Sequence, residues 1–362
     1  MSEVNAIETK QKLNSAMISV LQFVFSIMVI LLHSNRVFYS DVFHFTQKSI
    51  FSRLAVPFFL ICSAYFYKRS PHKKGYFKKA IMQYIGWSIL YIPLGYIYIA
   101  SLALPVFAIP LAIIVGLCYS GIWYHLWYIP AFLFGIYFVN KLNQYMKMRM
   151  VFLISLILYL IGSVETYYSY LQGTFLHQIY EQYRVFFLTS RNGLFYVPIF
   201  ICVGYLIAQE KEVGLFSKQF FKMKCLLALG CLVLEGTIIY MNQGIDKNFM
   251  FSFIPVTGLL FIWAKHTSIW QEKQLCTLKQ LSIYYFFIHP LFIEMAALFS
   301  EEMGQSLGIH EGWVVFIFTL VATHLTAYSI LKTGVVERIK IKLRTVAIFI
   351  KKNARKHSQI NT

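Results

Sequence analysis

The sequence predicts an all-α, polytopic integral membrane protein with about ten transmembrane helices. Three observations lead to this fold class: an apolar composition, a series of bilayer-length apolar segments, and a one-sided distribution of Lys and Arg. Of the 362 residues, 58% are hydrophobic, 18% are aromatic and only 13% are charged, whereas a soluble domain carries about 25% charged residues. A soluble protein of this length would lack the polar side chains to cover its surface, so most of that surface is expected to face lipid.

Apolar segments of roughly 15–23 residues follow one another along the chain, and each is long enough to cross the hydrocarbon core as a helix. We place the spans at residues 15–33, 50–67, 80–102, 125–140, 150–164, 194–208, 225–240, 251–264, 281–299 and 313–331. A further apolar stretch, 104–119, contains Pro105 and Pro110 and is harder to place. The first segment is long and lacks an A-x-A-like exit, so we interpret it as a membrane span rather than a signal peptide.

The distribution of positive charge predicts that both termini lie in the cytoplasm. In that orientation, with 104–119 not completing a crossing, the cytoplasmic segments hold 27 of the 33 Lys and Arg residues, as the positive-inside rule requires. If 104–119 did span, the later loops would change sides and the bias would invert. The net charge of +18 thus belongs to the inner face of the cytoplasmic membrane, and no nucleic-acid partner is predicted.

The chain divides into three parts and shows no internal repeat. Residues 1–14 form a cytoplasmic N-terminus, and residues 15–331 form the transmembrane domain. Residues 332–362 combine Lys and Arg with apolar residues at helical spacing, which is typical of an amphipathic helix on the anionic inner leaflet. The six cysteines show no CxxC spacing, so neither a disulfide framework nor a metal site is predicted.

Polar residues from five distant segments converge on the outer depth of the predicted membrane. They are His33, Arg53, His125, the pair Arg191 and Asn192, and His289. A charged side chain inside a membrane costs about 2.5–3.5 kcal/mol on insertion scales, so each is a functional candidate. The plain alternatives are interfacial histidines, snorkelling arginines, and a histidine before Pro290 that only caps a backbone carbonyl.

The residue types favour proton removal beside a stabilised negative charge. The chain has no GxSxG, P-loop, HExxH or Rossmann glycine fingerprint. A histidine with nearby arginines suits another reaction, in which His takes the proton of an attacking hydroxyl while Arg stabilises charge developing on a thioester carbonyl. The polar stripe along the first span, which includes Gln22, is also explained by helix packing. Glu235, Glu294 and His324 lie in or near spans, but none is assigned a role.

Five stretches, in order along the chain, make it resemble the membrane-bound acyltransferase-3 family over residues 15–331. They are LQFVFSIMVILLHS (21–34), RLAVPFFLICSAYF (53–66), WYHLWYIPAFLFG (123–135), TSRNGLFYVPIFICVGYLIA (189–208) and IYYFFIHPLFI (283–293). The resemblance implies O-acetyl transfer from a cytoplasmic acyl-CoA, usually acetyl-CoA, to a hydroxyl of an extracytoplasmic glycan or other cell-envelope molecule, without a metal. Its implied catalytic residues are His33 and Arg53, and its implied substrate-binding residues are His125, Arg191, Asn192, His289 and Gln22.

Two positions depart from the family pattern. Gln22 stands where many members have Arg or Lys, eleven residues before His33 and therefore about 16 Å away along the helix. It would line the donor side, where a neutral amide offers no charge to a CoA phosphate or thioester. Ser63-Ala64 replaces the family's Ser-Gly in the second span, which is expected to restrict close helix approach.

The resemblance leaves a second function open. The family fold is similar to the membrane half of the membrane-bound serine racemases of vancomycin-resistant bacteria, and to proteins implicated in exopolysaccharide export. His and Arg around an outward cavity would equally bind an amino-acid carboxylate, and Gln22 favours this alternative. The protein would then transport serine or another small substrate, and a soluble C-terminal domain would follow residue 362. A third alternative is a non-catalytic membrane scaffold, against which the convergent polar residues argue.

Overall fold

The computed structural model describes residues 13–209, 216–217 and 219–334, and the secondary structure of these residues is helical. Its α-helices are α1 (Ser15–His33), α2 (Asp41–Phe45), α3 (Ala55–Arg69), α4 (Lys73–Leu90), α5 (Ile92–Ser101), α6 (Ile109–Val115), α7 (Tyr128–Tyr145), α8 (Met148–Gly162), α9 (Phe175–Phe187), α10 (Val197–Ala208), α11 (Phe221–Met241), α12 (Phe253–His266), α13 (Cys276–Ala297), α14 (Ser300–Leu307) and α15 (Glu311–Thr333). The predicted cytoplasmic N-terminus and basic tail fall almost wholly outside the described residues, so both stay predictions.

Five helical units among the described residues are long and apolar enough to cross a membrane. They are Ser15–His33, Asp41–Arg69, Met148–Glu165, Phe221–Met241 and Glu311–Thr333. The helix pairs α4–α5 and α13–α14 are also apolar but are bent by 64° and 69°, so each is a broken span or a re-entrant loop. The all-α membrane fold is therefore confirmed with five to seven candidate spans.

The number of ten spans and the orientation of the termini are not confirmed. Each of the ten predicted segments does lie on a helix. Three of them coincide with α7, α10 and α12, and of these α10 and α12 have only 12 and 14 residues. Helices this short fall below the roughly 20 residues that a bilayer core requires, so length alone does not establish them as spans.

Helix α10 lies at the centre of the main bundle and packs against α3, α7, α8 and α12. Its contact with α3 is close at Gly204, where a Cβ atom would lie 2.7 Å from both the Ala64 Cβ and the Ile61 carbonyl oxygen. Ala64 was expected to restrict close approach. The two helices nevertheless meet closely because the small residue at this crossing is on α10.

Helix α1 lies between the main bundle and the pair α13–α15. Asn14 caps its start, since the side-chain oxygen accepts a hydrogen bond from the Met17 amide at 2.9 Å. The Asn14 side-chain amide donates to the carbonyl oxygens of Thr267 and Ile269, just beyond α12. The start of α1 therefore lies beside the end of α12, and the opposite end of the bundle, where α1 finishes, is called the His33 end below.

The stretch 104–119 lies within a segment whose two ends, Tyr91 and His125, are next to each other in the structure. The Tyr91 hydroxyl, after α4, donates to the Phe287 carbonyl oxygen at 2.6 Å, and the Tyr91 ring lies 4.8 Å from the ring of His125. Between them the chain runs out along α5 and back through α6, where the Tyr84 hydroxyl donates to the Leu117 carbonyl oxygen at 2.6 Å. The segment 92–124 thus leaves and re-enters the structure at one place.

Candidate active site

Three of the predicted histidines meet at the His33 end. The ring of His289 on α13 lies 5.6 Å from that of His33 and 5.8 Å from that of His125, measured between centroids. His125 and His289 are buried, whereas His33 is partly exposed. The ring of Tyr124 packs on His33 at 4.8 Å. The end of α1, the interior of α13 and the loop before α7 therefore bring the imidazoles of His33, His289 and His125 together.

The backbone of α13 fixes the tautomer of His289. Its Nδ1 atom lies 2.7 Å from the carbonyl oxygen of Tyr285, and a carbonyl can only accept, so Nδ1 must carry the proton. The Nε2 atom is then an acceptor, and it is buried without a hydrogen-bond partner among the described residues. Capping of a backbone carbonyl thus accounts for Nδ1 but leaves Nε2 unexplained.

His125 is enclosed by aromatic rings. Its ring is 4.8 Å from Tyr91, 5.4 Å from Phe286 and 5.9 Å from Tyr124, and only 3% of the residue is exposed. Neither imidazole nitrogen has a hydrogen-bond partner within the described part of the chain. An unpartnered buried polar group costs about 1–3 kcal/mol, so this arrangement needs a compensating role.

The predicted arginines meet on a residue that the sequence did not single out. Asp246, in the loop after α11, accepts a hydrogen bond from Arg53 Nη1 at 2.5 Å, and its other carboxylate oxygen lies 3.7 Å from Arg191 Nε. The same carboxylate accepts hydrogen bonds from the Asn248 side chain and the Lys247 backbone amide. Burial raises the pKa of the Asp246 carboxyl, but Arg53 and Arg191 outweigh burial and lower it to about 2.

Asn192 holds the turn that carries Arg191. Its side-chain oxygen accepts from the backbone amides of Leu194 at 2.9 Å and Phe195 at 3.1 Å. Its side-chain nitrogen donates to the hydroxyls of Tyr119 and Tyr183, each at 3.0 Å. The amide is therefore used within the protein, and this geometry gives Asn192 a structural part beside the substrate-binding role predicted for it.

Two buried or half-buried carboxylates anchor the loops at the His33 end. Glu165 accepts hydrogen bonds from the Ser190 amide at 2.8 Å and the Ser190 hydroxyl at 2.6 Å, next to Arg191. Glu235 accepts from the backbone amides of Phe251 and Ser252, each at 2.7 Å, where α12 begins. A carboxylate at a helix N-terminus satisfies free amides and complements the helix dipole.

The two groups of residues are electrostatically coupled. Arg53, Arg191 and Lys48 all lie close enough to His33 to interact with its imidazole. His33 itself has no hydrogen bond to any residue that the structure describes. Gln22 lies elsewhere, three turns earlier on α1, with its side-chain oxygen buried and unpartnered in the described structure. The structure thus brings together every predicted site residue except Gln22, and their roles stay predictions.

Metal chemistry was not predicted from the sequence. No group of three or more His, Cys, Asp or Glu within residues 13–334, as far as they are described, is arranged to hold a metal ion.

Sequence reasoning missed Asp246 and underused Tyr124. No role is predicted for Asp246 from the sequence, although a carboxylate in an outer loop is a natural partner for two arginines at the same depth. Tyr124 precedes His125 in the third of the five motifs, and the structure places its ring against His33. A search for opposite charges at equal depth makes Asp246 one candidate among the carboxylates of the outer loops, without showing which of them pairs.

Comparison with known proteins identifies the family. The model of a family described as an acyltransferase domain, acyltransferase-3, matches residues 16–332. The chain belongs to the acyltransferase-3 family. The resemblance of the five motifs is thereby confirmed, and the matched range includes each of the predicted site residues.

The acyltransferase-3 domain is also similar to curated racemases. It is 28% identical over 273 residues to a serine/alanine racemase of Enterococcus gallinarum, covering 70% of this chain and 37% of that protein. It is 30% identical over 240 residues to an amino-acid racemase of Enterococcus faecalis, covering 63% of this chain and 32% of that protein. The chain thus spans about a third of the length of these relatives. No solved structure matches the chain.

Proposed function

We propose that this protein transfers an acyl group, acetyl in the simplest case, from cytoplasmic acyl-CoA to a hydroxyl of an extracytoplasmic glycan or another cell-envelope molecule. The observation that carries the proposal is the contact of His33 with His289 and Tyr124, with Arg53 and Arg191 within electrostatic reach. Membership of the acyltransferase-3 family supports the reaction class.

The proposed reaction uses His33 as general base. Its imidazole accepts the proton of the acceptor hydroxyl while the hydroxyl oxygen attacks the thioester carbonyl carbon. A guanidinium group, Arg53 in this proposal, stabilises the negative charge on the carbonyl oxygen. Collapse of the tetrahedral intermediate breaks the carbon–sulfur bond, CoA leaves as a thiolate, and the proton held by His33 is released to it or to solvent. His125 and His289 orient the acceptor.

A cytoplasmic donor requires a particular orientation, which we include in the proposal: ten spans, both termini inside, in the cytoplasmic membrane. The return of the chain from Tyr91 to His125 supports a single net crossing between α3 and α7. An open groove of about 460 Å³ near Tyr67 is lined by Lys73, Lys74 and Lys78, at the opposite end of α3 from Arg53. In the proposed orientation these lysines face the cytoplasm, where they would attract the phosphates of a CoA donor.

The racemase relatives favour a second candidate function. If this chain corresponds to the membrane half of such a protein, the histidines and arginines at the His33 end would bind serine or a similar amino acid for transport, and a soluble racemase domain would complete the molecule. The neutral Gln22, partly buried on α1, supports this candidate because it offers no charge to a CoA donor. Export of an exopolysaccharide is a further form of the transport candidate, and a role in antibiotic resistance would accompany the racemase form.

Reconstituted protein separates the two candidates. Proteoliposomes would receive radiolabelled acetyl-CoA on the side of Lys73 and a bacterial cell-wall glycan on the side of His33, and label in the glycan would be counted. The same vesicles would be tested for uptake of labelled serine. His33→Ala is the test variant, and His324→Ala, which alters an exposed histidine outside the site, is the control.

Label transfer that disappears in His33→Ala and persists in His324→Ala supports acyl transfer. Uptake of serine that depends on His33, without label transfer, would replace acyl transfer by transport. Label transfer at the wild-type rate in His33→Ala would remove the histidine from the proposed mechanism.

A further inference from the structure

The two arginines at the His33 end are in different states. Arg53 donates to Asp246 at 2.5 Å, and its side chain is 15% exposed. Arg191 approaches the same carboxylate only to 3.7 Å, and its side chain is 33% exposed. Its guanidinium makes no hydrogen bond within the part of the chain that is described. Asp246 therefore accepts a direct hydrogen bond from Arg53, whose Nε atom has no partner among the described residues, and makes only a longer contact with Arg191.

The Arg191 guanidinium is stacked on an aromatic ring and is not hydrogen bonded to any residue that the structure describes. The guanidinium carbon lies 4.8 Å from the centroid of the Trp127 ring, so that the indole covers one face. The Nε atom is buried and has no hydrogen-bond partner among the described residues. A guanidinium held by stacking presents its N–H groups in a planar fork, which matches the two oxygens of a carboxylate or phosphate.

Positive charge exceeds negative charge around Asp246. Lys48 and Lys247 both interact electrostatically with Arg53, so two further cations lie close to the pair that Arg53 forms with Asp246. Glu165, which contacts the turn that carries Arg191, is hydrogen bonded to Thr189 and Ser190 instead. Unpaired positive charge in a partly buried site is costly, and a negatively charged ligand would remove that cost.

We propose that Arg191 binds an anionic group of the acceptor, a carboxylate or a phosphate, beside His33. The acceptor is therefore an acidic molecule rather than a neutral glycan, and its anionic group sets the position of the hydroxyl that reacts. That the bound molecule is an acyl acceptor rests on the proposed function, whereas the anion site itself does not.

Chemical labelling tests the anion site without any catalytic turnover. The protein in lipid nanodiscs would be treated with phenylglyoxal, which modifies accessible guanidinium groups, and adducts at Arg191 and Arg53 would be quantified by peptide mass spectrometry. Sodium acetate and inorganic phosphate are the probes, with sodium chloride at equal ionic strength and neutral glycerol as controls. Protection by acetate alone identifies a carboxylate, and protection by phosphate alone identifies a phosphate.

We expect Arg191 to be labelled and Arg53 to be largely spared, and acetate or phosphate to slow the labelling of Arg191 several-fold. In Asp246→Asn, Arg53 should become reactive and protectable as well, because its carboxylate partner is gone. Labelling of Arg191 that no anion slows beyond the chloride control would overturn the proposal. The labelling experiment contains no acyl-CoA, so its result does not depend on acyl transfer. Protection of Arg191 by an anion, together with no acyl transfer in proteoliposomes, would contradict the proposed function and still support the anion site.

Discussion

The two halves of the candidate site differ in how their polar groups are satisfied. The arginine half consists of Arg53, Arg191, Asp246 and Asn192, and it is carried largely by loops that hydrogen bonds tie together. The histidine half consists of His33, His125 and His289, and three of its buried imidazole nitrogens have no partner among the described residues. In the arginine half the Nε atoms of Arg53 and Arg191 are also unpartnered among the described residues, but its carboxylate and its side-chain amide are fully engaged in hydrogen bonds.

This difference separates residues whose hydrogen bonds stabilise the site from residues whose free polar atoms are available to a ligand. A satisfied network stabilises the loops, and removing one member leaves others buried and unpaired. An unsatisfied group costs stability and persists where function requires it. The comparison therefore predicts that Asp246, which holds the two arginines, responds to substitution mainly through stability, and that the histidine half responds mainly through activity.

The largest expected effect is on activity, in His289→Asn. Asparagine can still donate an N–H towards the Tyr285 carbonyl, but it removes the Nε2 acceptor. We expect acyl transfer, measured with labelled acetyl-CoA in proteoliposomes, to fall about 100-fold or more, because misplacing a reactant by about 1 Å costs a factor of this order. The thermal unfolding temperature should change little, because no bond of Nε2 within the described residues is lost.

The matched control is His324→Asn. His324 contacts the same residue, since its Nδ1 atom lies 2.8 Å from the Tyr285 hydroxyl, but it is exposed and lies outside the cluster. This variant should keep wild-type activity. Equal losses in both variants would mean that His289 acts only through the packing of Tyr285, and the distinction between the halves would fail.

The next effect, on stability, is expected in Asp246→Asn. The substitution leaves Arg53 and Arg191 without their shared carboxylate, and breaking a buried ion pair costs about 3–5 kcal/mol. Asp41→Asn is the matched control, because Asp41 pairs with Arg36 at 2.5 Å but 73% of its side chain is exposed. Loss of such a surface pair costs less than about 1 kcal/mol. Thermal unfolding in detergent measures both, and similar shifts in the two variants would contradict the assigned role of Asp246.

The sequence predicted the histidine half better than the arginine half. His33, His125 and His289 each belong to a motif inside or at the edge of an apolar helix, where a polar residue is conspicuous and its depth follows from the helix rise. Asp246, Glu165 and Glu235 act across loops, through contacts between residues distant in sequence. Depth along a helix can be read from one sequence, but the pairing of loops cannot.

Because contacts between distant residues cannot be read from one sequence, the number of membrane spans could not be predicted either. The hydropathy pattern located the apolar helices. However, α10 and α12 are too short to cross the hydrocarbon core of a bilayer, and the pairs α4–α5 and α13–α14 are bent. A hydropathy window measures composition and ignores packing. It therefore cannot distinguish a lipid-facing span from a buried helix such as α10, whose residues are almost all inside the bundle.

The smallest expected effect is the pH dependence of the Asp246 ion pair. Its folded-state pKa of about 2 lies below the ordinary value of 3.8, so the pair contributes full stability above pH 3.8, and this contribution is lost as the pH falls towards 2. By linkage, lowering the pH from 7 to 3 should remove about 1 kcal/mol. Asp246→Asn lacks this carboxyl, so the gap in unfolding temperature between it and the wild type should be constant from pH 7 to pH 5 and narrow below pH 4. A gap that stays constant to pH 3 would show that the arginines do not hold Asp246 ionised, and the arginine half would then owe its order to the neutral hydrogen bonds around Asn192 and Glu165.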